Sequence, residues 1–428
     1  MTVSLFSCAS LRHDRAAHAP RLVPVGEGWA RNAINTVTFR QNAVTTHKRT
    51  QYTAYYDAEG YVVLAKRRLG SRHWHVVRTT LQGKVRDSHN SISIGVDGAG
   101  FLHVAWDHHA QPLNYARSVR PGSLELTERL GMTGQHEDRV TYPEFFNLDN
   151  GDLLFLYRDG SSGSGDTMLN RYDVKARAWR AVQHPLITGE GLRNAYTNQI
   201  AIDRQGRWRL SWNWRETGDV ATNHDLCYAV SDDEGRTWRT STGLSYTLPI
   251  KESTAEVVCA IPQNHELINQ VSMTVDSQGR PIIATYWRPE GAEIPQYHVV
   301  WHDGAAWRVS QVGRRTTPFT LSGGGARRIP ISRPKVAVDR GDRIYFLFRD
   351  EERGNVASVA ICDDLAAGQW RFIDLTKESL NHWEPTYDME LWKRRQRLHL
   401  FVQHVGQGDA ETLEDVPPQP VSILEWEP

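Results

Sequence analysis

Apolar and polar positions alternate with period two along most of the chain, and no stretch sustains the 3.6-residue period of an amphipathic helix. The alternation comes in copies of one pattern: an apolar residue, an Asp or similar turn residue, two variable residues, a Gly, then an alternating strand. It reads YDAEGYVVLAKR from Tyr56, VDGAGFLHVAWDHH from Val96, LDNGDLLFLYRD from Leu148 and IDRQGRWRLSWNWRE from Ile202. It returns as VDSQGRPIIATYWR from Val275 and VDRGDRIYFLFRD from Val338, and a degenerate seventh copy, LWKRRQRLHLFVQ, starts at Leu391. Asp-x-x-Gly between apolar runs predicts a hairpin, because Asp and Gly tolerate the backbone angles of a tight turn.

A second beat follows most copies. Ser231, Asp233, Gly235 and Trp238 spell S-x-D-x-G-x-x-W, the Asp-box turn of sialidase-type propellers, with weaker echoes ending at Trp74, Trp179, Trp307 and Trp370. The box is a structural turn and carries no activity by itself. Seven copies over about 390 residues, each with room for four short strands, predict an all-β chain folded as a seven-bladed β-propeller with Asp-box turns. The predicted organisation is a poorly ordered or extended lead-in over 1–30 and one propeller domain over 31–428. Residues 34–40 (INTVTFR) are expected to pair with residues 421–426 (VSILEW), so that N- and C-terminal strands close the ring and remove its open edges.

Composition narrows the function. Lys+Arg and Asp+Glu number 50 each, so the formal net charge is zero. That argues against a nucleic-acid partner held by bulk charge and against a polybasic membrane anchor. No apolar run reaches the ~18 residues of a membrane span. The four cysteines (Cys8, Cys227, Cys259, Cys362) have no metal spacing and are expected to be free thiols. The first residues lack a basic region and carry only a short apolar patch, so there is no convincing signal peptide. As the sequence stands the chain is expected in the cytoplasm, or secreted or periplasmic if its N-terminus is incomplete, and as a monomer.

The repeat also places side chains. The first strand of a hairpin runs down to the Asp-x-x-Gly turn and the second runs back, so the start of one and the end of the other meet on one face. Counting across the turns gathers Arg67, Arg158, Arg215, Arg288 and Arg349 at equivalent strand ends. His89, His108, His109, Tyr142, Arg193, Tyr196 and Arg333 fall beside them. Of His108 and His109 only one can point inward, since neighbours on a strand face opposite ways. Guanidinium groups concentrated at one mouth of a neutral ring suit an anionic ligand, which they bind bidentately. Arg158, Arg215 and Arg349 each precede an acid, so some of these arginines are expected in blade-to-blade ion pairs instead.

An acidic oligo- or polysaccharide fits this rim, with aromatic faces for sugar rings. β-Elimination of a uronate needs a cation on the carboxylate, a base for H5 and an acid for the leaving O4. Arg, His and Tyr are the right residue types, and no cofactor is required. No pair of carboxylates stands out, which disfavours ordinary two-acid glycosidase chemistry.

The segments GWARNAINTVTFRQNAVTTHKRTQYTAYYD, DSHNSISIGVDGAGFLHVAWDHHAQPLNYARS, VTYPEFFNLDNGDLLFLYRDGSSGSGD, GEGLRNAYTNQ, RTTPFTLSGGGARRIPISRP and WEPTYDMELWKR resemble BNR-repeat polysaccharide-active enzymes. The likeness runs from about residue 28 onward and is nearest to the L-rhamnose-α-1,4-D-glucuronate lyase family, in the superfamily of the ulvan lyases. It implies a seven-bladed propeller that acts from chain ends to remove L-rhamnose from glucuronate in arabinogalactan or gum-arabic-type glycans. It puts His89 as acid/base, Tyr142 as partner and Arg158 as carboxylate neutraliser, with His109, Arg193 and Tyr196 as substrate contacts. Strand counting adds His108, Arg215, Arg288 and Arg333 to the binding residues. A hydrolase alternative, an α-L-rhamnosidase, rests on His47 in the T-H-K-x-T-Q motif, nominally on the same rim. Another uronate lyase of the ulvan type and a non-catalytic glycan-binding propeller remain as further readings. The resemblance also implies a structural calcium ion near the propeller axis, with no ligands assignable from the sequence.

Overall fold

The Asp-x-x-Gly signature folds as the alternation predicts. Asp97 Oδ1 accepts the N–H of Phe101 at 2.9 Å, and Asp203 Oδ1 accepts those of Gln205 and Arg207 at 2.9 and 3.0 Å. The Gly that ends most of these turns sits at positive φ, 92° at Gly100 and 78° at Gly206, where a side chain would be strained; in blade six Asp342 takes that place at φ 63°. The structure, a computed structural model, describes residues 19–428. Cys8, the short apolar patch and most of the expected lead-in lie outside the described residues.

Seven antiparallel sheets follow one another around a ring. Blade five shows the standard unit, with strands Ser272–Val275, Pro281–Trp287, Gln296–His302 and Trp307–Gln311 in order from the axis outward. Blade three is built the same way from Val140–Asn147, Leu153–Ser161, Ser164–Asp173 and Ala178–Ile187. Facing sheets bury apolar side chains between them. Leu156, Trp208, Trp212 and Trp214 pack blade three on blade four, and Tyr286, Tyr297, Phe346 and Phe348 pack blade five on blade six. A parallel sheet would need long crossovers; short hairpins make this ring from local pairings instead.

The Asp-box is present as a turn. Asp233 accepts from Thr237 N at 2.9 Å and Thr237 Oγ1 at 2.8 Å, and buried Trp238 donates Nε1–H to Gly235 O at 3.0 Å.

The ring is closed by N- and C-terminal strands, but through a different segment from the expected one. Arg21–Gly28 pairs antiparallel with Gln419–Trp426, which in turn pairs with Leu398–Val402. The propeller therefore begins ten residues before the expected boundary at residue 31. Residues 34–40 are not a strand. Asn35 bonds the carbonyls of Trp29 and Tyr56 and accepts Tyr56 N–H, and Arg40 bonds the carbonyls of Asn35, Ala54 and Ile92. These polar side chains replace a sheet ladder and hold an irregular segment, with a 3-10 turn at Thr38–Arg40, over the centre of the ring.

Blade one is out of phase. A short strand, Val44–His47, forms its inner edge and turns at Lys48 (φ 55°) into Thr50–Tyr56. Asp57–Gly60 therefore joins the second strand to the third, Tyr61–Arg68, instead of the first to the second. Its face is reversed relative to the other copies. Blade seven also departs: a helix, Met389–Arg395, N-capped by Asp388, stands where the other blades have Asp-x-x-Gly. Among the described residues no helix is long and apolar enough to cross a membrane.

Candidate active site

The upper mouth, where inner strands begin and second strands end, collects aromatic and cationic side chains from five parts of the chain. The segment over the centre delivers Phe39. The loop before the inner strand of blade two delivers Asp87 and His89. Blade three delivers Tyr142 and Arg158, and blade four Tyr196 and Arg215. Arg333 arrives from the approach to blade six.

Tyr142 reaches the mouth because its strand bulges. The register slips between Thr141 and Glu144, and Tyr142 takes φ 54°, rare for a non-glycine residue. Its ring meets Phe39 edge-on at 4.9 Å and Tyr196 at 5.9 Å. Arg158 packs its guanidinium over both phenols, 4.9 Å from the Tyr142 centroid and 5.5 Å from that of Tyr196. Arg158 Nη1 and Nη2 are buried and make no well-formed hydrogen bond. Donors left unspent in the interior cost about 1–3 kcal/mol, which a negative charge beside them would recover.

His89 and His109 stack with centroids 4.2 Å apart. Asp87 bridges them, taking His89 Nδ1 on one oxygen and His109 Nδ1 on the other, each at 2.6 Å. Glu411, from the blade-seven loop, adds a second acceptor 3.1 Å from His89 Nδ1. Burial alone would push the imidazolium down, but the bonds to Asp87 and Glu411 outweigh it and raise His89 to about 9. His89 Nε2 has no hydrogen-bond partner among the described residues. Tyr196 moves the other way: burial opposes its ionisation, yet Arg158 and Arg215 outweigh burial and bring it to about 7. Its hydroxyl bonds Ser162 Oγ at 2.7 Å and accepts from Arg215 at 3.2 Å. Tyr142 is held neutral, by burial first and by Tyr196 second.

These groups surround a small cavity of about 60 Å³, walled by Phe39, His89, Tyr142, Arg215, Gln270, Arg327, Arg333, Arg349 and Glu384. The sequence-expected residues divide accordingly. His89, Tyr142, Arg215 and Arg333 are on the wall, and His109 is stacked against it. Arg158 and Tyr196 stand one layer behind, with the Tyr142 ring in front. His108 is the outward member of its pair: it is fully buried, accepts Asn114 N–H at 2.8 Å and is pushed down to about 3 by burial. Arg193 and Arg288 are spent on Glu216 (2.8 Å) and Glu266 (2.6 Å) and stay off the wall. Arg349 is spent on the carbonyls of Pro330, Ile329 and Trp383.

Two residues lie on the opposite face, both because blade one is out of phase. His47 sits at the lower turn, with Nε2 about 3.7 Å from the Cβ position of Gly100. Burial and Lys48 hold it neutral. Arg67 bonds Gln51 Oε1 and pairs with Glu425 at 2.6 Å. The lower mouth holds a larger cavity of about 590 Å³. Its wall carries Asp149, Asp203, Asp276, Asp339 and Glu390 against Arg204, Arg340 and Lys393. Asp203 and Asp276 are committed to their own turns and to Arg207, Arg209 and Arg280. That wall is the poorer host for an acidic sugar.

Inner strands of three blades converge on the axis at Glu144, Gln199 and Lys335. The buried Lys335 ammonium donates to Gln41 Oε1 and to Gln199 Oε1 at 3.3 Å, and Glu144 lies beside it. Oxygens that could face a metal here already serve an ammonium, so this level of the axis does not fit the implied calcium ion. Among the described residues, Asp87, His89 and His109 form the one cluster with ligand atoms close enough to share a cation, and their atoms are engaged with one another.

Asp87, Glu411, Phe39 and Glu384 were missed by sequence reasoning. Asp87 had a readable signal, two residues before His89 in a loop where a short acid can reach back. Glu411 is more than 300 residues from His89 and had none.

The comparisons agree on the fold, a ring of seven antiparallel blades. The sequence profile of the family described as "BNR repeat-containing family member" matches residues 50–315, and the chain belongs to that family. An ulvan lyase (long isoform) from Alteromonas sp is 31% identical over 136 residues, 22% of this chain and 14% of that protein. An ulvan lyase (short isoform) from Alteromonas sp. (strain LOR) is 27% identical over 139 residues, 22% of this chain and 26% of that protein. The match thus spans about a quarter or less of these relatives' length. A solved ulvan lyase of a polysaccharide lyase family superposes with a TM-score of 0.71 at 15% identity, over 94% of this chain and 95% of that one. An ulvan lyase bound to a glucuronate–sulfated rhamnose unit gives 0.68 at 16% identity over the same shares.

Proposed function

We propose that this propeller is a polysaccharide lyase that cleaves the bond to O4 of a uronate by β-elimination at the upper mouth. The observation that carries the reading is the charge arrangement there: a histidine held protonated beside one phenol, Tyr196, that buried guanidinium groups push toward ionisation, with a second phenol, Tyr142, held neutral between it and the cavity. Such opposed shifts divide acid from base.

In this reading the substrate carboxylate takes the place of Glu384, now 3.1 Å from Arg333 Nε, and lies in the field of Arg215, whose N–H groups serve Gly218 O, Asp219 O and Tyr196 Oη. The charge of both arginines stabilises the enolate-like anion formed as H5 leaves C5. The base is the Tyr142–Tyr196 pair. Tyr196 carries the negative charge under Arg158 and Arg215, and neutral Tyr142, the member on the wall, takes H5 as it passes its own hydroxyl proton back to Tyr196. The C5–H electrons form the C4=C5 double bond, the C4–O4 bond breaks, and O4 takes the proton of His89 Nε2. Arg158 thus supports the base from behind, where the resemblance had it neutralising the carboxylate directly.

The finer substrate is a terminal L-rhamnose α-1,4-linked to D-glucuronate in glycans of arabinogalactan or gum-arabic type. One feature supports chain-end action: residues 322–326 cross the mouth where a through-running chain would have to lie, tied to Asp219 and Val220 on one side and to Ala410 and Glu411 on the other. The ulvan-lyase relatives support the uronate class. The test is rhamnose release together with ultraviolet absorbance of the unsaturated product on a rhamnose-capped glucuronide. The reading expects both to rise in step. Rhamnose without absorbance would indicate hydrolysis, consumption of ulvan alone an ulvan-type lyase, and binding without turnover a lectin-like propeller.

A further inference from the structure

The cavity of about 60 Å³ is far below the ~300 Å³ of the smallest ordinary ligand pockets, so something must move to admit a sugar. What covers it is a glycine-rich strap, residues 322–326 (SGGGA), pinned at both ends. On one side Gly323 O accepts Val220 N–H at 3.0 Å and Gly323 N–H donates to Asp219 Oδ1 at 2.5 Å. On the other, Ala410 N–H donates to Ala326 O at 2.8 Å, and Ala326 N–H donates to Glu411 Oε1 at 2.7 Å.

Glu411 is therefore shared. The oxygen that receives the strap also lies 3.1 Å from His89 Nδ1, and its other oxygen accepts Ser88 N–H at 3.1 Å. The loop that presents it is strained: Ala410 and Glu411 take φ 50° and 65° in succession, a conformation that neither side chain favours. Strain of this kind persists where surrounding contacts impose it, and it clusters at switch segments. The contacts that impose it here are those to the strap and to the His89 loop.

We propose that Glu411 is a positioning residue that arms His89 when the strap is shut: one carboxylate clasps the strap, the His89 loop and His89 itself. With the strap lifted to admit substrate, Glu411 loses its anchor at Ala326 and its aim at His89. The imidazole then keeps Asp87 alone and holds its proton less firmly. Closure over a bound sugar restores the second acceptor and loads the acid. The titratable and charged groups facing His89 are Asp87 on its own loop, His109 on the next strand, Tyr142 from blade three and Glu411 from blade seven. Arg327, Arg333 and Glu384 stand across the cavity. Of these, only Glu411 contacts both the strap and His89.

The purpose of this device rests on the lyase reading, but its test does not. In the full chain labelled at histidine, the His89 resonance is assigned by its loss in His89→Gln and titrated without substrate. Glu411→Gln removes the clasp's charge, and Ala326→Pro removes the strap N–H that Glu411 holds while leaving Glu411 charged. The proposal expects both to lower the His89 pKa, Glu411→Gln by about one unit or more and Ala326→Pro in the same direction. An unchanged titration in either variant overturns it. If Glu411→Gln does not fold, Glu411→Asp, too short to span both contacts, takes its place with the same expected shift. The elimination assay on a rhamnose-capped glucuronide is read separately, so failure of the lyase reading leaves the titration result standing.

Discussion

Burial opposes a charge on His89, and two carboxylates overcome it. A group whose pKa rises on folding, here from 6.5 to about 9, contributes stability that is fully present below pH 6.5. That contribution is lost as pH rises through about 9. His89→Gln should therefore flatten the stability-versus-pH curve between those limits in thermal unfolding. Turnover has its own window. With Tyr196 near 7 and His89 near 9, the rate should climb as the phenol pair ionises and fall as His89 loses its proton. The two guanidinium roles separate kinetically. Arg158→Lys weakens the hold on the phenolate, so it should move the acid limb to higher pH with KM little changed. Arg215→Ala removes a wall cation as well as part of the hold on Tyr196, so it should move the acid limb too and, unlike Arg158→Lys, also raise KM and lower kcat, together by about 10²–10³-fold in kcat/KM. His47→Ala should leave rhamnose release intact, because His47 faces the other mouth. Loss of release there would restore the hydrolase alternative.

At the level of single elements, turns were the most legible part of the sequence. Asp-x-x-Gly and the Asp-box dictate their own geometry from a few adjacent residues, so Ser231, Asp233 and Trp238 behave as their spacing predicts. Asp233→Ala should lower stability by about 1–2 kcal/mol in denaturant unfolding without touching activity. Strand ends were less legible. Tyr142 owes its direction to a bulge at the Thr141/Glu144 register slip, which strand counting cannot detect. Of His108 and His109, alternation said that one points in; packing against His89 decided which. Blade one misled the count because a four-residue strand, Val44–His47, was inserted ahead of the motif. One added strand reverses the face of everything after it until the next blade, and this carried His47 and Arg67 to the wrong mouth.

At the scale of the whole molecule, seven repeats were enough to fix the ring, and closure by terminal strands followed from the need to remove edges. The closing segment was harder to choose. INTVTFR alternates like a strand, but Asn35 and Arg40 draw it over the centre, and RLVPVGEG takes the edge. Val23 is buried in that closing blade, so Val23→Asp should destabilise the ring by about 3 kcal/mol, visible as a lower Tm. The site was legible in its residue types and illegible in its long-range clasps, since Glu411 and Glu384 meet it only after the ring has closed. Charge is apportioned between the mouths as well: acids crowd the lower wall, and guanidinium groups stand at the upper one. The lyase account depends on that polarity. It is tested most directly by running the reaction on a rhamnose-capped glucuronide in heavy-oxygen water and weighing the released rhamnose. Elimination breaks C4–O4 and leaves the original oxygen on the sugar, so the account predicts unlabelled rhamnose and an unsaturated uronate. Rhamnose carrying the heavy oxygen would contradict it.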